Sequence, residues 1–172
     1  MHEYAITVIG HDRPGIIADA AEVLAGLGLN LTDSTMTRLR GHFAMTLICA
    51  GPPATHEVEA GLASLAASGT LVVTVRELGP EPEPEPLGRP YVLSLHGADR
   101  LGIVAAVSRA IAEVGGNVTD LSTRLTAELY VLVAEVDLPS TVDIAALRDR
   151  LREITTGLGV EAQLRPAEVD VL

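Results

Sequence analysis

The 172-residue chain has no tryptophan, no lysine, one phenylalanine and one cysteine, and aromatic residues make up 2% of it. So few rings leave the core to Ala, Val, Leu and Ile, and they argue against an RNA-reading sheet, which stacks bases on strand aromatics. The lone Cys49 rules out an intrachain disulfide or a thiolate metal cluster, since both need two or more cysteines. That usage fits a reducing compartment. No apolar run approaches about eighteen residues, and no cationic segment precedes one near Met1. A cytoplasmic protein with no membrane partner is expected. Positive charge is also scarce, because 12 basic residues, all arginine, face 23 acidic ones for a formal net charge of −11. Nucleic-acid affinity rests largely on Lys and Arg neutralising phosphates, so direct nucleic-acid binding is not expected. The missing lysine is read as a matter of composition alone.

What is present is a repeat. Tyr4-Ala-Ile-Thr-Val-Ile-Gly-His-Asp-Arg-Pro-Gly-Ile-Ile-Ala18 lies over Tyr91-Val-Leu-Ser-Leu-His-Gly-Ala-Asp-Arg-Leu-Gly-Ile-Val-Ala105 at an offset of 87 residues. Without a gap, Gly28, Asn30, Thr32 and Asp33 then fall on Gly115, Asn117, Thr119 and Asp120. Between the copies, Gly79-Pro-Glu-Pro-Glu-Pro-Glu-Pro-Leu-Gly-Arg-Pro90 has alternate prolines that forbid a helix and deny a strand its donors. In extended polyproline form such a spacer spans up to roughly 35 Å. The expected organisation is a first domain at 1–79, a linker at 80–90 and a second domain at 91–172.

Each copy reads alike. Residues 4–10 alternate on the strand period, Asp12-Arg-Pro14 punctuates, and Ile16, Ile17, Ala20, Val23, Leu24 and Leu27 follow the helical period until Gly28. Ile103, Val104, Val107, Ile111 and Val114 repeat that stripe before Gly115. A polar strand over Asn30–Arg38 precedes an apolar one carrying Phe43, Met45, Leu47 and Cys49 on one face. Helices are predicted near 55–68 and 141–157, the second opened by a capping-box pattern at Ser140-Thr-Val-Asp143. Strands near 70–78 and 159–166 close the units. The order βαββαβ, twice, predicts an α+β protein of two ferredoxin-like units, each a four-stranded antiparallel sheet with two helices on one face. In that topology the polar strands 30–38 and 117–125 lie at edges, solvated or paired with another unit into a larger sheet.

The richest local feature is the loop from first strand to first helix, Gly10-His-Asp-Arg-Pro-Gly15 and Gly97-Ala-Asp-Arg-Leu-Gly102. Its first glycine reads as a sharp turn, and its second leaves the backbone open where helix-start N–H groups point outward. Those N–H groups attract an anion such as a carboxylate, and a neighbouring acid meets an ammonium, so a zwitterionic amino acid satisfies both. The plainer readings make Asp12 and Asp99 helix caps, Gly15 and Gly102 close-packing residues, and Asn30 and Asn117 left-handed turn residues.

The Asp-Arg-Pro-Gly-Ile pattern after a strand, followed by Gly-x-Asn and a second strand, resembles an ACT domain. The tandem arrangement resembles the glycine cleavage system transcriptional repressor family. That resemblance implies amino-acid binding at interfaces between two units, the first loop of one facing the second strand of another. Carried over by position, it implies a cradle of Asp12, Arg13, Gly15, Ile16 and Asn30 in the first unit. The second unit's is Asp99, Arg100, Gly102, Ile103 and Asn117. Leu101 departs from the pattern where Pro14 keeps it, losing a preset φ at the helix start.

Other residues carry less. His2, His11, His42, His56 and His96 are scattered with no i,i+4 pair, so no metal site is expected. Ser34 and Ser122 lack a base and its orienting group, so no catalytic residue is assigned. The leading expectation is a non-enzymatic sensor, without a cofactor, that binds a small amino acid, glycine or serine, with Ile16 and Ile103 capping its side chain. Occupancy would shift unit pairing within a homo-oligomer or with a regulatory protein partner, and transcriptional regulation is the expected setting, since affinity differences between states carry such signals. The alternatives are a structural pairing module with no ligand and, far behind, an acylphosphatase-like enzyme using Arg13 and Asn30, whose substrate Asp12 would repel.

Overall fold

The computed structural model describes residues 1–80, 88–126 and 129–167 of the chain. Two compact units result, Met1–Glu83 and Pro84–Leu172. The first contains β1 (His2–His11), α1 (Ile16–Gly26), β2 (Asn30–Leu39), β3 (His42–Gly51), α2 (Thr55–Ala66) and β4 (Leu71–Glu77). The second repeats the order with β5 (Arg89–Gly97), α3 (Ile103–Glu113), β6 (Asn117–Thr126), β7 (Leu129–Leu138), α4 (Ile144–Leu158) and β8 (Val160–Pro166). The sheets run β2-β3-β1-β4 and β6-β7-β5-β8, every pair antiparallel. This is the ferredoxin-like α+β architecture, twice. The part of the proline–glutamate run at 81–87, read as a spacer, lies outside the described residues.

Burial follows the strand period. In β1, Tyr4, Ile6 and Val8 are fully buried, and across from them Phe43, Met45, Leu47 and Cys49 of β3 close the same layer. Helices α1 and α2 cover that face with Ile16, Ala20 and Leu24, and with Val58, Leu62 and Leu65. The second unit builds its core from Leu93, Leu95, Leu132, Ala134 and Val136 against Ile103, Val107, Ile111, Leu147 and Leu151. Both helices of each unit pack into that one layer, and successive strand residues alternate, so the intervening side chains point to the face away from those helices. Burial pushes the Cys49 thiol up from its ordinary pKa, consistent with an inert strand residue.

Two local expectations are corrected. Helix α4 starts at Ile144, and Asp143 itself is the cap, its carboxylate accepting from the Ala145 and Ala146 N–H groups at 3.0 and 3.1 Å. A side-chain carboxylate three residues on takes the place of Ser140 because it accepts from two first-turn donors at once. Gly10 makes no turn; it is strand, and a Cβ there would sit 2.0 Å from the Thr70 carbonyl oxygen. Close approach of the β4 backbone requires the missing side chain.

At the far edge of the first unit, Glu77 of β4 accepts from the Thr55 hydroxyl at 2.6 Å and contacts His2 Nδ1 at 2.7 Å. The Thr55 hydrogen bond, then that to His2, holds the Glu77 carboxyl below its usual pKa. A depressed folded-state value contributes stability above the ordinary carboxylate range, lost as pH falls through the folded value. Thr55→Val should raise the Glu77 pKa in a carboxyl-carbon NMR titration; an unchanged curve would show that the hydroxyl does not set it.

Candidate functional site

In each unit the loop after the first strand ends on a glycine in the left-handed region, Gly15 at φ 90° and Gly102 at φ 90°, which are the helix N-caps. No side chain caps either helix, so Asp12 and Asp99 are not caps. A Cβ on Gly102 would meet nothing within 4 Å, and one on Gly15 only Arg13 Nη1 at 3.7 Å and Asp19 Oδ1 at 3.8 Å. The glycines therefore serve backbone conformation rather than close packing. The first intrahelical bonds run from Asp19 N–H to Gly15 O and from Ala106 N–H to Gly102 O. The N–H groups before them lack intrahelical acceptors and form the positive end of each helix.

Ile16 and Ile103 are 1% and 2% exposed, their side chains packed into the cores. Only their backbone can face a ligand, a correction to the expectation that they cap a ligand's side chain.

Charge at the first loop is engaged locally. Arg13 Nη2 donates to Asp19 Oδ2 at 2.8 Å, Arg13 Nη1 donates to the Pro14 carbonyl, and Arg38 Nη1 donates to Asp12 Oδ2 at 3.3 Å. The Asp12 N–H is held by the Gly41 carbonyl of the β2–β3 hairpin. At the corresponding offset the second unit has Ala106 for Asp19 and Leu125 for Arg38. Among the described residues Asp99 and Arg100 form no ion pair, and with the fully exposed Leu101 they border an open cleft of about 730 Å³. Its other wall is the C-terminal end of α4, Thr156 to Gly159. In the first unit a different cavity, about 380 Å³ and mainly apolar, lies between α1 and β2 against Ile17, Leu24, Leu31 and Met36.

Asn30 and Asn117 are exposed first residues of β2 and β6. Neither has positive φ; Gly28 and Gly115, at 74° and 75°, take the left-handed turn. Their distance from the loop follows from register. His11, next to Asp12, pairs with His42 at the start of β3, while Asn30 pairs with Ala50 near its end. Eight residues at about 3.4 Å each put them roughly 27 Å apart along the sheet. Asp12, Arg13 and Gly15 come together; Asn30 does not join them. The second unit repeats the arrangement, with Asn117 opposite Asp137 and Gly97 opposite Tyr130.

Sequence reasoning passed over three features. Asp19 and Arg38 tie the first loop, and no motif spacing marks them. A bulge interrupts β2 between Leu31 and Asp33, and β6 between Val118 and Asp120. The extra residue is Thr32 or Thr119, and its recurrence at the repeat offset was the available signal. Thr32 Oγ1 donates to the Ile48 carbonyl at 3.1 Å. The third feature is the α4 end beside Asp99.

Two βαββαβ units, each with a glycine-capped loop and a polar bulged edge strand, make a tandem ferredoxin-like module. The chain belongs to the ACT domain family, whose model matches residues 3–76 and 89–165. A UPF0237 protein of Methanopyrus kandleri is 35% identical over 79 residues, covering 45% of this chain and 88% of the relative. The crystal structure of an unknown protein from Galdieria sulphuraria superposes with a TM-score of 0.81 at 26% identity, over 96% of this chain and 98% of that one. The structure named "putative glycine cleavage system transcriptional repressor" superposes with a TM-score of 0.74 at 20% identity, over 98% of both chains, a likeness of fold. Among the described residues no helix is long and apolar enough to cross a membrane.

The glycine requirement is testable. Gly15→Ala and Gly102→Ala should each cost about 1–2 kcal/mol in urea unfolding at unchanged m, the left-handed penalty. Gly26→Ala, helical with open space around its Cβ, should be neutral or stabilising by up to about 1 kcal/mol. Equal costs at all three positions would overturn the conformational account.

Proposed function

We infer that this is a non-enzymatic amino-acid sensor, in which a small amino acid, glycine or serine first, binds between the loop of one ACT unit and the edge strand of another. The observation that carries the reading is the roughly 27 Å within each unit between the loop and Asn30 or Asn117. Antiparallel pairing of two edge strands sets the start of one beside the end of the other, which brings an asparagine against a neighbouring loop. The free N–H groups at the α1 or α3 start then meet the ligand carboxylate, Asp12 or Asp99 its ammonium, and the asparagine amide either group. The exposed backbone of β2 and β6 supplies the ladder for that pairing. Pairing through β2 also covers the apolar cavity beside α1.

Occupancy favours the paired state by the ligand's affinity difference between paired and unpaired forms. Such a signal needs a listener, and the net charge of −11 favours a protein partner over direct contact with DNA. The reading places the protein in the cytoplasm, as a homo-oligomer acting in regulation, including transcriptional regulation through that partner.

A second reading, a pairing module with an empty interface, draws on the first unit. There Arg13 and Asp12 already hold Asp19 and Arg38, so a ligand has to displace those contacts. Exposed pairs of this kind are worth about 0–1 kcal/mol each, too little to bar a ligand held by several charged contacts. The difference between units predicts tighter binding where Asp99 and Arg100 present the loop.

Calorimetry against the twenty amino acids, with size-exclusion chromatography in parallel, separates the readings. The sensor predicts binding of a small amino acid below millimolar concentration, weakened at least about tenfold by Asn30→Ala combined with Asn117→Ala, with assembly intact. No binding at millimolar ligand, or collapse of the oligomer in that variant, would favour the empty interface.

A further inference from the structure

Spacing along the chain hides one pair of metal-ligating side chains that the topology brings together. The antiparallel register of β1 and β3 sets His11 directly opposite His42. Both are exposed, and because the neighbouring Phe43 faces α1 and α2, alternation sends both imidazoles to the opposite side of the sheet. The ring centres stand 5.0 Å apart with the planes tilted by 31°.

That spacing has a chemical meaning. Two imidazoles each binding one cation through a single nitrogen at about 2.0–2.1 Å have ring centres roughly 4.5–5.2 Å apart, for coordination angles of about 90–110°. The observed ring-centre separation of 5.0 Å falls within that range. Among the described residues neither ring is hydrogen-bonded to or ion-paired with another side chain, whereas His2 is held by Glu77 and His96 by Glu161. The repeat supplies an internal comparison: the second unit has Ala98 and Leu129 at these positions, so the fold itself does not call for the pair. No group of three His, Cys, Asp or Glu side chains converges among the described residues, so the protein offers two ligands and leaves the other positions open.

We propose that His11 and His42 form an open two-imidazole chelate for a divalent transition-metal ion of the zinc, nickel or copper class. Imidazole suits these ions, while magnesium and calcium favour oxygen ligands. The net charge of −11 draws a cation to the protein. Water, or a small chelating molecule, fills the remaining coordination positions. Bound metal ties the end of β1 to the start of β3 immediately before Asp12, so the loop is fed by a pinned strand end. The site is independent of the amino-acid reading, and the two stand or fall separately.

The test is calorimetric titration of untagged, full-length protein with zinc chloride and nickel chloride in a His2→Ala background, which removes a second exposed histidine. One ion per chain is expected, with magnesium giving no heat. His11→Ala and His42→Ala should each weaken zinc binding by more than about tenfold, the scale reached by losing even an outer partner of a metal ligand. His56→Ala and His96→Ala should leave it unchanged. Circular dichroism checks that each variant is folded, which exposed positions allow, and His11→Gln provides a second variant of similar size. Absence of zinc binding, or affinity retained in folded His11 and His42 variants, would overturn the site.

Discussion

The register between β1 and β3 is the constraint on which the rest of the structure depends. With every residue of β1 paired to β3 from His2–Gly51 to His11–His42, the end of β1 is fixed at the end of the sheet where β3 begins. The glycine-capped loop must sit there, and α1 must run back to the other end before β2 can start. Loop and asparagine are thereby held apart by the length of a strand, and no local rearrangement brings them together without slipping the register. A one-residue slip would turn Tyr4, Ile6 and Val8 out of the core. The geometry that makes each unit stable is the same geometry that keeps its loop and its asparagine at opposite ends of the sheet.

Two copies of one unit on one chain also show what the fold requires and what it leaves free. Both keep the left-handed glycine at the helix start, the left-handed glycine after the helix and the bulge in the edge strand. They differ in the charges around the loop: Asp19 and Arg38 engage the first, Ala106 and Leu125 stand at those positions in the second, and Leu101 replaces Pro14. Backbone features are common to both units, and side-chain chemistry is where they part. Two loops of unequal charge follow from that division.

Much of this was legible in the chain. Alternation in β1 and β3, the 3.6-residue stripes of α1 and α3, and the 87-residue offset were enough to reach βαββαβ twice and to place the polar strands at edges. The loop glycines are legible, but the reason for Gly10 is not, because the Thr70 carbonyl that crowds it stands just before β4, sixty residues away in sequence. The Ser140 pattern misplaced the start of α4 because a capping signature does not say which of two candidate oxygens the backbone will meet. Arg13 and Asp12 were legible as loop charges, whereas their partners Asp19 and Arg38 were not, since those contacts depend on helix phase and hairpin length. The His11–His42 pair was invisible for the same reason: two residues 31 positions apart become neighbours only through register. Sequence periodicity reports faces, and contacts between elements need the topology.

In the proposed sensor, a second unit's edge strand completes the amino-acid site. A crystal structure grown with glycine or serine at saturating concentration tests it most directly. The account predicts the ligand carboxylate at the N-terminal end of α1 or α3, with Asn30 or Asn117 of a different ACT unit within hydrogen-bonding distance and the β2 or β6 edges paired. A ligand held wholly within one unit, such as in the cleft beside Asp99 and the α4 terminus, with both edge strands left open to solvent, would contradict it.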